Sequence, residues 1–267
     1  MLGSLHNALI EWNRPMNKYP ETNIQTVLTR TFSFIKAHLL TLSKSFDHCI
    51  ICNNHQPELP QLCQHCYTNL PRFELDKVNG DLLNWPAINQ LFPKRHFDKL
   101  LSVTPHVWPI SAWLNQFKYH RHYDLSALLG AVMQAQWKEA SRHFKRPDIV
   151  LSVPLHISKW QSRGFNQAHL IALQLIQKNS LNYRDDIIAK MTKKHSQVGQ
   201  TGTQRRKSLN GSFSVTKPES VKNKTVLLVD DVLTTGSTVN EICRLLKAAG
   251  ATEIIVMTLT VSLEQCS

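Results

Sequence analysis

The stretch VLLVDDVLTTGST at residues 226–238 concentrates residue types that could grip a sugar phosphate. An apolar run ends in Asp230 and Asp231, and two residues on come Thr234, Thr235, Gly236, Ser237 and Thr238, followed by a helical pattern. Small hydroxyl residues around a glycine let backbone N–H groups turn inward on a phosphate. The helix N-terminus behind them adds partial positive charge. Paired carboxylates repel a phosphate, so their natural partners are ribose hydroxyls or a Mg²⁺ ion. The competing reading is a strand end with a solvated acidic pair and an ordinary Ser/Thr helix cap. A receiver-type Mg²⁺ site also places carboxylates at strand ends, but it would not be followed by TTGST.

Cys49, Cys52, Cys63 and Cys66 form a C-x2-C-x10-C-x2-C pattern within eighteen residues. Two-residue spacing points both thiolates of a pair at one ion, and four thiolates complete a closed tetrahedral zinc site of structural type. A disulfide or redox pairing is the alternative. His48, His55 and His65 are read as surface residues, and Cys243 and Cys266 as unpaired thiols.

Two further groups of cations could meet anions. Lys159 and Arg163, in SVPLHISKWQSRGFNQ, stand after an apolar run and could hold a pyrophosphate, or could simply flank a helix. Between Lys190 and Lys224, nine Lys and Arg face the single acid Glu219, as suits a basic loop that tracks a single-stranded DNA backbone. Lys193, Lys194, Arg205, Arg206 and Lys207 are its candidate DNA contacts; solvated cations that serve only the phosphorylated ligand are the alternative. FKYHRHY at 117–123 interleaves aromatics and cations, but Phe117 and Tyr119 are read as core residues at a helix start.

The elements that must position these groups form an alternating pattern. An amphipathic helix is expected over 24–46 behind a leader, and irregular sequence over 74–97 behind the cysteines. Strands are expected at 100–107, 149–155, 226–232 and 253–261, and helices at 125–144, 166–177 and 241–249. Apolar strands alternating with helices imply a parallel α/β sheet flanked by helices. The expected domains are thus 1–46, a knuckle and linker over 47–97, and an α/β domain over 98–267. The net charge of +12 suits anionic partners and a solvated basic surface equally, so charge alone decides nothing. No apolar run reaches the roughly 18 residues of a membrane span, and the composition reads as that of a soluble cytoplasmic protein. A Walker motif is absent.

The order of apolar strand, DD, TTGST and helix resembles the phosphoribosyl-pyrophosphate (PRPP) motif of type I phosphoribosyltransferases. With the four-Cys knuckle and RGFNQ, the chain over about 47–263 is similar to the ComF family (ComFC/GntX type), associated with DNA uptake in natural transformation. The resemblance implies ribose and Mg²⁺ contacts at Asp230 and Asp231, 5-phosphate contacts at Thr234–Thr238, and a helicase-like ATPase as partner. The segment 190–213 departs from the family pattern, of which Gln197 and Arg205 remain, and the leader is longer than usual, so Met16 is an alternative start. Whether phosphoribosyl transfer occurs is left open. A salvage phosphoribosyltransferase acting on a nucleobase or amine, and a non-catalytic DNA-binding module that senses PRPP, are the alternative functions.

Overall fold

The apolar runs around 226–233 and 253–261 lie side by side at the centre of a four-stranded parallel sheet. The computed structural model describes residues 48–54, 58–120, 122–155, 163–177, 179, 181–191 and 212–263. The helix expected over 24–46 lies outside them, as do Lys159, Lys193, Lys194, Arg205, Arg206, Lys207 and Cys266.

Strands β1 (Lys99–Pro105), β2 (Ile149–Ser152), β5 (Thr225–Leu233) and β6 (Glu253–Val261) are ordered β1-β6-β5-β2. Strands β3 (Ile188–Lys190) and β4 (Phe213–Val215) pair separately and antiparallel. Ile254, Ile255, Val256 and Met257 are successive residues and all fully buried, so both faces of β6 are covered. Continuous apolar sequence is what a strand buried on both faces requires. Hydroxyls within the sheet find partners: Thr258 Oγ1 donates to Ser102 Oγ at 3.2 Å, and Thr104 Oγ1 donates to the Pro71 carbonyl at 2.7 Å. That matches the rule that buried polar groups are hydrogen-bonded.

The longer helices are α3 (Ile110–Tyr119), α4 (Leu125–Ala140), α5 (Gln167–Gln177) and α6 (Ser237–Ala248). α4 packs on β1 and β6, α5 packs on β2 and β5, and the two helices meet each other. They approach closely at Gly130, where a Cβ would stand 2.2 Å from Gln174 Cβ. Gly130→Val therefore forces the helices apart, and we expect a loss of about 2–3 kcal/mol in chemical denaturation. An unchanged midpoint would show that the contact yields without cost.

Residues 74–97 are irregular, as the sequence suggests, yet they are packed. They hold two short 3-10 turns and α2 (Pro86–Leu91), and bury Leu75, Leu82, Leu83, Ile88, Phe92 and Phe97. The cysteine segment, with α1 (Gln64–Thr68), is tied to the same core. Phe73 N–H donates to the Val103 carbonyl at 2.8 Å, and Gln136 Nε2 of α4 donates to the Phe73 carbonyl at 2.7 Å. The described residues from 48 onward accordingly pack as one unit.

Two boundaries differ from expectation at the functional edge. The strand expected over 226–232, whose apolar run ends at Asp230 and Asp231, continues to Leu233, because Val232 and Leu233 still pair with Thr260 and Val261. The helix expected from Glu241 starts at Ser237, directly behind Gly236.

Candidate functional site

The carboxyl edges of β5 and β2 open on a cleft of about 420 Å³. This edge is where open parallel sheets bind ligands. Asp230, Asp231, Thr234, Thr235, Gly236, Ser237, Thr238 and Arg163 all line it. Lys159 and the five candidate DNA-contact residues fall outside the described residues.

The carboxylates are held inside the strand rather than beyond it. Asp230 pairs with Thr258 across the β5–β6 ladder, and its Oδ1 accepts the Asp231 N–H at 2.8 Å. Asp231 Oδ2 lies 2.9 Å from the Lys118 ammonium, with both side chains only 14% exposed. Lys118 stands in the last turn of α3. His106, just past β1, completes this corner, its Nδ1 2.9 Å from Thr260 Oγ1. Burial, with the Lys118 ammonium nearby, holds the His106 imidazole below its ordinary pKa against the opposing pull of Asp231.

Beyond Leu233 the chain turns sharply into α6. Gly236 is the N-cap residue, in the left-handed region at φ 69° and ψ 0°. A side chain there would be strained, and its Cβ would meet the Phe92 ring at 3.1 Å. Thr235 Oγ1 and Ser237 Oγ lie 2.9 Å apart, so the loop hydroxyls already orient one another. The first N–H groups of a helix have no intrahelical partner and suit an anion. Residues 94–96 clamp this turn: His96 N–H donates to Asn240 Oδ1 at 2.6 Å, and Asn240 Nδ2 donates to the Lys94 carbonyl at 2.9 Å.

The opposite wall comes from the start of α5. Asn166 Oδ1 accepts the Ala168 N–H at 3.1 Å, and its Nδ2 donates to the Val153 carbonyl at 3.0 Å. Arg163 donates to Gln167 Oε1 and to Tyr119 Oη, both at 3.2 Å, and its guanidinium lies 5.0 Å from the Tyr119 ring centroid. Gln167 is 1% exposed, and its Nε2 has no hydrogen-bond partner among the described residues. A buried unmade donor is costly, which marks a place where a ligand oxygen would be welcome.

Lys118, His106 and Gln167 were missed as site residues by sequence reasoning. Lys118 falls in FKYHRHY, whose residues divide in the structure. Phe117 is fully buried, Lys118 faces the cleft, and Tyr119 is 65% exposed, against its expected place in the core. The available signal was a cation at the carboxyl end of a helix that follows the first strand.

The cysteine site is assembled from two tight turns. Asn53 and Gln61 have positive φ values of 59°, and Ile50 N–H donates to the Gln61 carbonyl at 2.8 Å. The four Sγ atoms lie within 4.8 Å of one another, and Cys52 and Cys63 are 3.7 Å apart. A tetrahedron with ~2.3 Å metal–sulfur bonds has edges of about 3.8 Å, so the group could hold a metal such as zinc. Burial alone would raise the Cys49 thiol. N–H groups of Cys63, Cys52 and Ile51 nevertheless hold it down at about 6, while burial pushes Cys66 up. Cys243 is a buried free thiol on α6, its pKa raised by burial.

Residues 161–264 match the family described as phosphoribosyl transferase domain. Competence protein F of Haemophilus influenzae is 31% identical over 216 residues, covering 79% of this chain and 83% of that protein. DNA utilization protein YhgH of Escherichia coli K12 is 27% identical, covering 77% of this chain and 86% of that protein. Competence protein ComFC of Streptococcus pneumoniae is 27% identical over 49% of this chain and 56% of that protein. With its parallel α/β sheet of type I phosphoribosyltransferase kind and its four-cysteine knuckle, the chain belongs to the ComF family.

Proposed function

We propose that this protein binds PRPP together with Mg²⁺ in the β5–α6 cleft and serves DNA uptake. The observation that carries the reading is the convergence of paired carboxylates, a hydroxyl-rich helix N-terminus and the Arg163 fork on one cleft. In this reading Thr234–Thr238 hold the 5-phosphate through backbone N–H groups and hydroxyls. Asp230 and Asp231 accept hydrogen bonds from the ribose. Arg163, with Lys159, takes the pyrophosphate, because a guanidinium fork matches two phosphate oxygens. A Mg²⁺ site at these carboxylates is supported by the ammonium on Asp231 Oδ2, a position where positive charge is favourable. When bound, Mg²⁺ would neutralise pyrophosphate charge. In phosphoribosyl transfer the C1–oxygen bond to pyrophosphate would break, a bond from C1 to an acceptor nucleophile would form, and the cleft would stabilise the departing pyrophosphate while excluding water.

The DNA-uptake role is supported by relatives named for competence and for DNA utilization. Lys193, Lys194, Arg205, Arg206 and Lys207 are the proposed single-stranded DNA contacts, and a helicase-like ATPase would supply motor work. A cytoplasmic location belongs to the same proposal; among the described residues no helix is long and apolar enough to cross a membrane. The four thiolates are proposed to hold a structural zinc.

Calorimetric titration with PRPP and Mg²⁺ tests the site. Wild type should bind with 1:1 stoichiometry, and Asp231→Ala should lose at least roughly tenfold in affinity, from a charge-assisted contact worth about 1.5–3 kcal/mol. Absence of heat for wild type, or equal affinities, would remove the phosphoribosyl reading. Pyrophosphate released only on supply of a nucleobase would favour the salvage alternative.

A further inference from the structure

Lys118 puts a positive charge where the proposed ligand brings one of its own. Its ammonium lies 2.9 Å from Asp231 Oδ2, and neither side chain is more than 14% exposed. The two residues come from the end of α3 and from β5, so the contact is tertiary and not a local surface pairing. Asp230 and Asp231 are adjacent in the same cleft, and two carboxylates in partly dry surroundings repel each other. The Lys118 ammonium offsets that repulsion.

The same contact obstructs a metal ion. Mg²⁺ binds carboxylate oxygen at roughly 2.0–2.1 Å and resists losing its waters. A metal on either oxygen of Asp231 stands close to that ammonium, and the two like charges oppose each other, so tight metal binding requires Lys118 to move away or be neutralised by another anion. A metal arriving alone leaves the displaced ammonium in a cleft already lined by Arg163 and Lys190. A metal arriving with a sugar diphosphate also brings phosphate oxygens, which give the ammonium a new partner.

We propose that Lys118 is a positioning residue that acts as a tethered counter-ion, making divalent-metal binding at Asp231 conditional on the sugar diphosphate. The proposal rests on the PRPP and Mg²⁺ reading of the cleft. It adds a selectivity: a bare metal ion is refused, and metal and diphosphate are taken up together. This is a coupling free energy between two ligands, reciprocal by linkage.

The test uses Mn²⁺ as the probe, followed by the electron paramagnetic resonance of the free ion, with and without PRPP. Without PRPP, Lys118→Met should bind Mn²⁺ at least roughly tenfold more tightly than wild type, as expected when a partly buried neighbouring charge is removed. Asp231→Asn added to Lys118→Met should abolish that gain, assigning it to the cleft. PRPP should strengthen Mn²⁺ binding several-fold more in wild type than in Lys118→Met. Equal Mn²⁺ affinity of the two proteins without PRPP, or equal strengthening by PRPP, overturns the role of Lys118. A wild type that never binds PRPP at any Mn²⁺ concentration overturns the phosphoribosyl reading instead, and the metal-alone comparison still judges Lys118. If Lys118→Met melts early, Lys118→Gln, which keeps a donor without the charge, must move Mn²⁺ affinity in the same direction.

Discussion

Gly236→Val is expected to weaken PRPP binding at least a hundredfold in calorimetric titration, with Gly236→Ala intermediate. Gly236 stands at φ 69°, a conformation that costs a β-branched residue most. Its Cβ would also press on the Phe92 ring at 3.1 Å, and Phe92 is itself buried. The turn must therefore shift, carrying the first N–H groups of α6 away from the phosphate position. Losing two charge-assisted hydrogen bonds at about 1.5 kcal/mol each gives roughly 3 kcal/mol, or about a hundredfold. The strain itself costs about 1–3 kcal/mol of stability, so the variant should remain folded. Wild-type affinity in Gly236→Val would mean that the turn does not present its amides to the ligand.

The parts of this site that the sequence made legible are those contiguous along the chain. Asp230 through Thr238 carry their chemistry within nine residues, and the cysteine pairs carry theirs in a fixed two-residue spacing. Local order of that kind survives any uncertainty about packing. The sheet was readable for a similar reason, because 226–229 and 254–257 are continuous apolar runs that must be buried on both faces. The extension of β5 to Leu233 was not readable, since it depends on partners in β6.

What escaped the sequence is tertiary. Lys118 reaches Asp231 of β5 from helix α3, and no pattern around residue 118 names that partner. Residues 74–97 suggested only an irregular junction. In the fold they supply Phe92 under Gly236 and the clamp of Lys94 and His96 on Asn240, the latter contacts spanning 144 and 146 residues. The glycine could be recognised as the turn residue, but not the ring that makes it irreplaceable. The proposed phosphate loop is thus held from behind by a segment whose composition advertises no role in binding.

Removing the proposed zinc from the four-cysteine site is expected to lower the melting temperature by roughly 10–15 °C, and Cys66→Ser should do the same. The thiols of Cys49, Cys63 and Cys66 are buried, and all four Sγ atoms are confined within 4.8 Å. Without a cation, deprotonated thiolates at such range repel, and protonated ones leave the site loosely packed. In isolated finger peptides structural zinc supplies roughly 10–16 kcal/mol. Here the segment also docks on the core through Phe73, Gln136 and the Arg72–Glu139 pair at 3.6 Å, so part of its order survives metal loss. A net loss of about 4–5 kcal/mol is therefore expected, and for a domain of this size each kcal/mol shifts the melting point by roughly 2–4 °C. Elemental analysis should give one zinc per chain in wild type and in Cys243→Ser, whose thiol is buried on α6 away from the cluster. Melting curves that coincide with and without a strong chelator, at full metal removal, would show that the four cysteines do not hold a structural ion.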